Sequence, residues 1–141
     1  MASLLKATLL LFGLMGLMTT SVAAQSESCV QSRTIGNWEN PFAGNRSDLT
    51  KLEVRAICND QTVPHIQIKA YTACAPRDCT WGRSIAHRFD DTSFQVSYRT
   101  FFAKRTVTVS INGKRMDAQV FDDYHDRRKP DEMRKFVLWK K

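Results

Sequence analysis

The chain has 141 residues, a formal net charge of +7 and four cysteines. Such a length supports one hydrophobic core but not two. Its Lys and Arg residues are scattered and interleaved with acids, with no basic stripe or recognition motif, so no nucleic-acid partner is expected. The positive balance favours acidic partners such as anionic glycans or lipid headgroups.

The first two dozen residues read as an export leader. Lys6 is the lone charge, an apolar run follows from Ala7 to Met18, and Val22-Ala23-Ala24 supplies the small-x-small pattern before a cleavage site. Cleavage after Ala24 is expected. It would leave one domain, residues 25–141, with a net charge of +6, and would place it in the periplasm or outside the cell. The apolar run is too short for a permanent membrane span, and no other segment supplies a transmembrane helix.

From Gln25 onward the hydrophobic period is near two. Thr34–Trp38 is the first expected strand. Leu52, Val54 and Ala56 then alternate with Lys51, Glu53 and Arg55, and Ile66, Ile68 and Ala70 alternate with His65, Gln67 and Lys69. A strand at Ser84–Arg88 is followed by the sets Phe94, Val96, Tyr98, then Val107, Val109, Ile111, then Met116, Ala118, Val120. Lys135–Trp139 is the last. Asn112-Gly113 suits a type I′ hairpin, and Asn59-Asp60 and Asp90-Asp91 are further turn signals. One helical turn is expected near Pro130–Met133, within a solvated, charge-dense loop from Asp122 to Lys135.

About eight short strands with hairpin-scale gaps predict an all-β fold, a small antiparallel up-and-down barrel, with a two-sheet sandwich as the alternative. A barrel of that size either holds one small ligand or is filled by its own side chains, here Phe94, Val96, Val107 and Val109. Tyr71, Tyr98, Phe101 and Phe102 are candidates for lining its mouth.

An even cysteine count in an exported chain predicts disulfides. Of three possible pairings, Cys74–Cys79 would close the short Cys-Ala-Pro-Arg-Asp-Cys loop and Cys29–Cys58 would pin the N-terminal arm to the second strand. The spacing contains no CxxC and no His pair at metal-ligand distance, so neither a zinc site nor a redox dithiol is expected.

The Gly36-Asn37-Trp38-Glu39-Asn40 segment resembles the start of calycin barrels, the lipocalins and avidins, with Trp-x-Asn closer to avidins. The resemblance implies that Trp38 plugs one barrel end and that Asn40, with Ser47 as a looser match, faces a ligand. The further tryptophans, Trp81 and Trp139, stand in segments that do not align with avidin pockets. Cys74-Ala75-Pro76-Arg77-Asp78-Cys79-Thr80-Trp81-Gly82 is similar to a family of small exported bacterial β-domains marked by C-x-P-x-D-C-x-W-G. Here Tyr71-Thr72-Ala73 replaces the Gly usual before its first Cys. That family brings no activity with it.

Catalytic sets are missing: no G-x-S-x-G, no HExxH and no phosphate-cradling glycine loop occurs. His65, His87 and His125 are isolated. Asp122, Asp123, Asp126 and Asp131 are interrupted by Arg127, Arg128 and Lys129, which suits a salt-bridged surface better than a cation loop. No cofactor and no metal are expected. The function expected is binding, with Trp38, Asn40, Arg77, Asp78, Trp81 and Arg83 as candidate contacts, most of them on or beside a loop that Pro76 and the bridge stiffen. The ligand would be a small molecule or glycan at the mouth or stapled loop. The alternative is a surface-acting protein, such as an inhibitor of a secreted enzyme or a partner at the cell envelope.

Overall fold

The structure is a computed structural model, and it describes residues 29–30, 33–58 and 64–141. The expected leader and the expected Asn59-Asp60 turn lie outside the described residues. Eight strands run in order: β1 (Gly36–Glu39), β2 (Leu49–Ile57), β3 (His65–Thr72), β4 (Cys79–Arg88), β5 (Ser93–Arg99), β6 (Ala103–Asn112), β7 (Arg115–Tyr124) and β8 (Glu132–Lys140). Each pairs antiparallel with its neighbours in sequence. The sheet closes where Trp38 and Glu39 of β1 meet Lys140 and Trp139 of β8. This is the expected up-and-down barrel rather than a sandwich.

Side chains that alternate along a strand fall on opposite faces of the wall, and β7 shows it plainly. Met116, Ala118, Val120 and Asp122 are buried, while Arg115, Asp117, Gln119 and Phe121 are exposed. Leu52, Ile68, Val107, Val120 and Leu138 keep no surface that a water molecule can touch, and Phe94, Val96 and Val109 keep almost none. The lumen is therefore filled by the barrel's own side chains. Each large apolar group buried there contributes about 1.5–3 kcal/mol. The outward positions of β6 and β7 carry Lys104, Thr106, Thr108, Ser110, Asp117 and Gln119, the reverse of the apolar exterior of a membrane barrel. No described helix is long and apolar enough to cross a membrane.

Up-and-down order places the β1–β2, β3–β4, β5–β6 and β7–β8 connections at one end. The other end is closed by the N-terminal segment. Val30 joins the core, Thr34 Oγ1 donates to Asp91 O at 2.9 Å, and Trp38, fully buried, donates from Nε1 to Thr34 O at 3.0 Å. Cys29–Cys58 ties that segment to the end of β2, and Cys74–Cys79 closes the β3–β4 connection, both as expected.

Three local expectations need correction. Asp122–Tyr124 and Glu132–Lys135 are strand, not loop, because Asp122 pairs with Glu132 and Gln119 with Lys135 across β7 and β8. For the same reason there is no helical turn at Pro130–Met133; Glu132 and Met133 already belong to β8. In the β6–β7 hairpin Asn112 pairs with Arg115, and the positive φ (61°) falls on Gly113 alone, at the first loop position, which fits a II′ turn better than the I′ turn expected from Asn-Gly.

Candidate functional site

The open end of the barrel is built by continuing the inward positions of the strands past the apolar core. On β6 the series Ile111, Val109, Val107 reaches Arg105; on β7 Met116, Ala118, Val120 reaches Asp122; on β8 Leu138 and Phe136 reach Arg134. Register sets Tyr98, Arg105 and Asp122 in one cross-strand row over β5, β6 and β7. Three charged side chains thus crown the core.

Asp122 is fully buried. Its Oδ2 accepts from Arg134 Nη2 at 2.6 Å, and its Oδ1 lies 3.2 Å from Arg105 Nε in an ion pair without hydrogen-bond alignment. The side chains of Arg105 and Arg134 are only 12% and 18% exposed. Arg134 also donates from Nη1 to Ser47 O at 2.9 Å and approaches Glu132 at 3.9 Å. Ser47 itself holds a positive φ of 75°. Its backbone N–H donates to Ala73 O, which ties the β1–β2 connection to the β3–β4 connection.

A β-bulge brings Trp81 into this group. Thr80 pairs with Tyr71 and Gly82 with Ala70, so Trp81 is the extra residue between them, and Gly82 takes a φ of 93° that side-chain-bearing residues rarely adopt. The indole packs 5.9 Å from the Tyr98 ring, and the Arg105 guanidinium carbon sits 4.6 Å from the indole centroid. The β4–β5 ladder has only two pairs, His87↔Gln95 and Arg88↔Phe94, and ends before the mouth. Trp81 and Tyr98 fill that seam from inside. Tyr98 donates its hydroxyl to Ile68 O at 3.1 Å, and burial pushes its phenol above the ordinary tyrosine range. Trp81 Nε1 and Thr72 Oγ1 are buried here without a hydrogen-bond partner among the described residues.

Above the crown lies a cavity of about 320 Å³ lined by Ser47, Phe102, Arg105, Tyr124, Asp126 and Lys129. The Lys129 ammonium is 3.6 Å from the Tyr124 ring centroid. Arg128 grips Asp126 through Nε and Nη2 at 3.0 and 2.9 Å and holds that carboxyl below the usual carboxylate range. At the same end the loop side chains of Phe42, Phe101 and Phe102 are 81%, 89% and 68% exposed.

The six side chains singled out in the sequence are dispersed. Trp38 is core. Asn40 is spent on turn geometry, donating from Nδ2 to Leu49 O and accepting from the Phe42 N–H, both at 2.9 Å. Asp78 accepts from Thr50 Oγ1 at 2.6 Å, and with Asn40 it lines an outer groove of about 520 Å³ beside Trp139. Arg77 is exposed on the stapled loop, and Arg83 points outward from β4 opposite Lys69. Of the six, Trp81 is the one that packs against Arg105 and Tyr98 at the mouth. Of the aromatics proposed for the mouth, Tyr98, Phe101 and Phe102 are at that end, but Tyr71 faces outward, its ring flanked by the Lys51 and Lys69 ammoniums at 4.1 and 4.7 Å. Arg105, Asp122 and Arg134 were not singled out as a site, although continued alternation along β6, β7 and β8 already points them inward. No protein-family model, curated protein or solved structure matches this chain.

Proposed function

We propose that the protein is an exported, non-catalytic binding module that seats a small molecule or glycan at the open end of its barrel. The observation that carries this is the contrast along the barrel axis: apolar packing fills the lumen, and a charged, aromatic-lined cavity lies above it. The mature part, residues 25–141, acts in an oxidising compartment that sustains both disulfides. Binding residues held by a stiff scaffold need little reorganisation, and Trp81, Tyr98 and Asp122 supply that stiffness under Arg105. Exposed apolar side chains gathered at one end mark contact surfaces, which suits Phe42, Phe101 and Phe102.

A second reading, an interaction protein acting through its outer wall, is favoured by one feature. Lys51, Arg55, Lys69 and Arg83 project from adjacent strands β2, β3 and β4. Glu53, the acid among them, is already engaged by Lys51 at 3.1 Å and the Tyr71 hydroxyl at 2.8 Å. An acidic enzyme or envelope protein would fit that face.

Amide chemical-shift mapping of the oxidised protein against neutral and acidic sugars separates the two. Perturbations confined to residues 100–106 and 122–134 and to Trp81 support the mouth. Perturbations confined to the outer face of β2–β4 sink the mouth reading.

A further inference from the structure

We infer that the group recognised at the mouth is a carboxylate, received by the outer nitrogens of Arg105 with Lys129 as a second cation. The inference rests on the mouth reading above and adds the chemistry of the ligand.

Charge accounting points to an anion. Two mostly buried guanidiniums flank one buried carboxylate, Asp122, and the second acid of the cluster, Glu132, approaches Arg134 at 3.9 Å, so Arg105 shares Asp122 and has no acid of its own. A buried charge is costly unless it is paired. Arg134 disperses its share, with Asp122 on one Nη, the Ser47 carbonyl on the other and Glu132 nearby. Arg105 has Asp122 alone, reached through Nε, and among the described residues its two Nη atoms have no acceptor. Lys129 adds positive charge at the cavity rim, its ammonium over the Tyr124 ring and, among the described residues, in no ion pair. Asp126, the acid lining the same cavity, is neutralised by Arg128. The cavity is thus open to a negative group.

Geometry selects the carboxylate. A guanidinium offers two coplanar N–H groups that match two carboxylate oxygens. The Trp81 indole beneath the Arg105 guanidinium, 4.6 Å from ring centroid to guanidinium carbon, restrains that side chain, so less of its freedom is lost on binding. Phe102 and Tyr124 form apolar walls that suit the ring or short chain bearing the acid. An acidic sugar meets both requirements. The contact is wholly non-covalent.

The test titrates the oxidised protein with acetate, glucuronate, glucose, sulfate and phosphate, holding ionic strength constant with chloride and following the Arg105 Nε–H resonance with backbone amides. Acetate and glucuronate are expected to give saturable shifts at Arg105, Phe102 and Lys129. Arg105→Lys keeps a cation beside Asp122 but removes the fork, and should weaken glucuronate binding at least tenfold. Lys129→Ala, at an exposed position that leaves the fold intact, should weaken it several-fold. Carboxylates that do no more than chloride, tighter binding of sulfate or phosphate, or an unchanged dissociation constant in Arg105→Lys would each overturn the assignment. Glucose shifting the mouth amides when no carboxylate does would defeat this inference while leaving the mouth reading in place; no response to any sugar at the mouth would take both.

Discussion

The guanidinium of Arg105 on β6 lies over the indole of Trp81 on β4, 4.6 Å from guanidinium carbon to indole centroid, although β5 stands between their strands in the sheet and 24 positions separate them in the chain. The contact exists because a bulge at Trp81 turns the indole inward and because Arg105 occupies an inward position of β6 between Val107 and Ala103, near the mouth. It holds a binding-type side chain on a core-type platform. An Arg105→Met, Trp81→Phe double-mutant cycle measured by urea unfolding is expected to give a coupling energy of about 1–2 kcal/mol, above what an exposed pair supplies. Single changes at Arg77 and Arg83, both exposed, should stay within about 0.5 kcal/mol of the parent. Trp81→Ala, by contrast, should lower stability clearly, since Trp81 packs on the core. Additive double-mutant energies would show the stack to be incidental.

Asp122 and Asp123 adjoin in sequence and differ completely in setting. Asp122 is fully buried between two arginines, whereas Asp123 faces solvent. Asp122→Asn removes the charge that offsets both guanidiniums, and breaking such a buried pair costs about 3–5 kcal/mol. Asp123→Asn should cost less than about 0.5 kcal/mol. Equal denaturation midpoints for the two variants would contradict the buried ion triad.

The two disulfides close loops of unlike size, with sequence separations of 29 for Cys29–Cys58 and 5 for Cys74–Cys79. Chain-entropy reasoning assigns about 3.6 kcal/mol to the longer loop and about 2 kcal/mol to the shorter. Replacing Cys29 and Cys58 by Ala should therefore lower the melting temperature more than replacing Cys74 and Cys79. The reverse order would mean that the stapled loop carries native-state contacts beyond the bridge itself.

Asp90 organises the β4–β5 turn. Its carboxylate accepts from the Ser93 hydroxyl at 2.6 Å, and from the backbone N–H groups of Thr92 and Ser93, both at 2.7 Å. The Ser93 hydroxyl, then the Thr92 amide and hydroxyl, hold its pKa down at about 2. A depressed carboxylate stabilises the fold above its unfolded pKa of about 3.9 and loses that contribution as pH falls toward 2. Side-chain carboxyl NMR titration should place the Asp90 midpoint near 2, well below the ordinary aspartate value of about 3.9. A midpoint near 4 would show that the turn network does not form. Tyr98 acts at the alkaline end: with its folded pKa raised by burial, its contribution is complete below about pH 10 and is lost above that as the unfolded phenol ionises.

How much of this was legible in the chain depends on the residue. Phe94, Val96, Val107 and Val109 declared an inner face through local alternation alone, and Gly113 marked its hairpin, because period and turn chemistry act between near neighbours. The Asp122–Lys135 stretch misled, since density of charge reads as solvated loop until Arg105 and Arg134 are known to flank Asp122 from other strands. Trp81 was recognised for its neighbours in a motif, yet its inward orientation came from the mismatch between β3 and β4, which neither strand contains by itself.

The amino-acid sequence by itself determined the run of amphipathic strands and their inward faces, because these follow from side-chain period along the backbone, whereas the structure decided that the lumen is filled and which of three cysteine pairings forms. Only the tertiary structure decided which charges are buried and which partners they meet. Whether a carboxylate is buried between two guanidiniums or washed by solvent is a property of cross-strand register and of strand order around the closed barrel. Those relations join positions dozens of residues apart, and no local pattern encodes them.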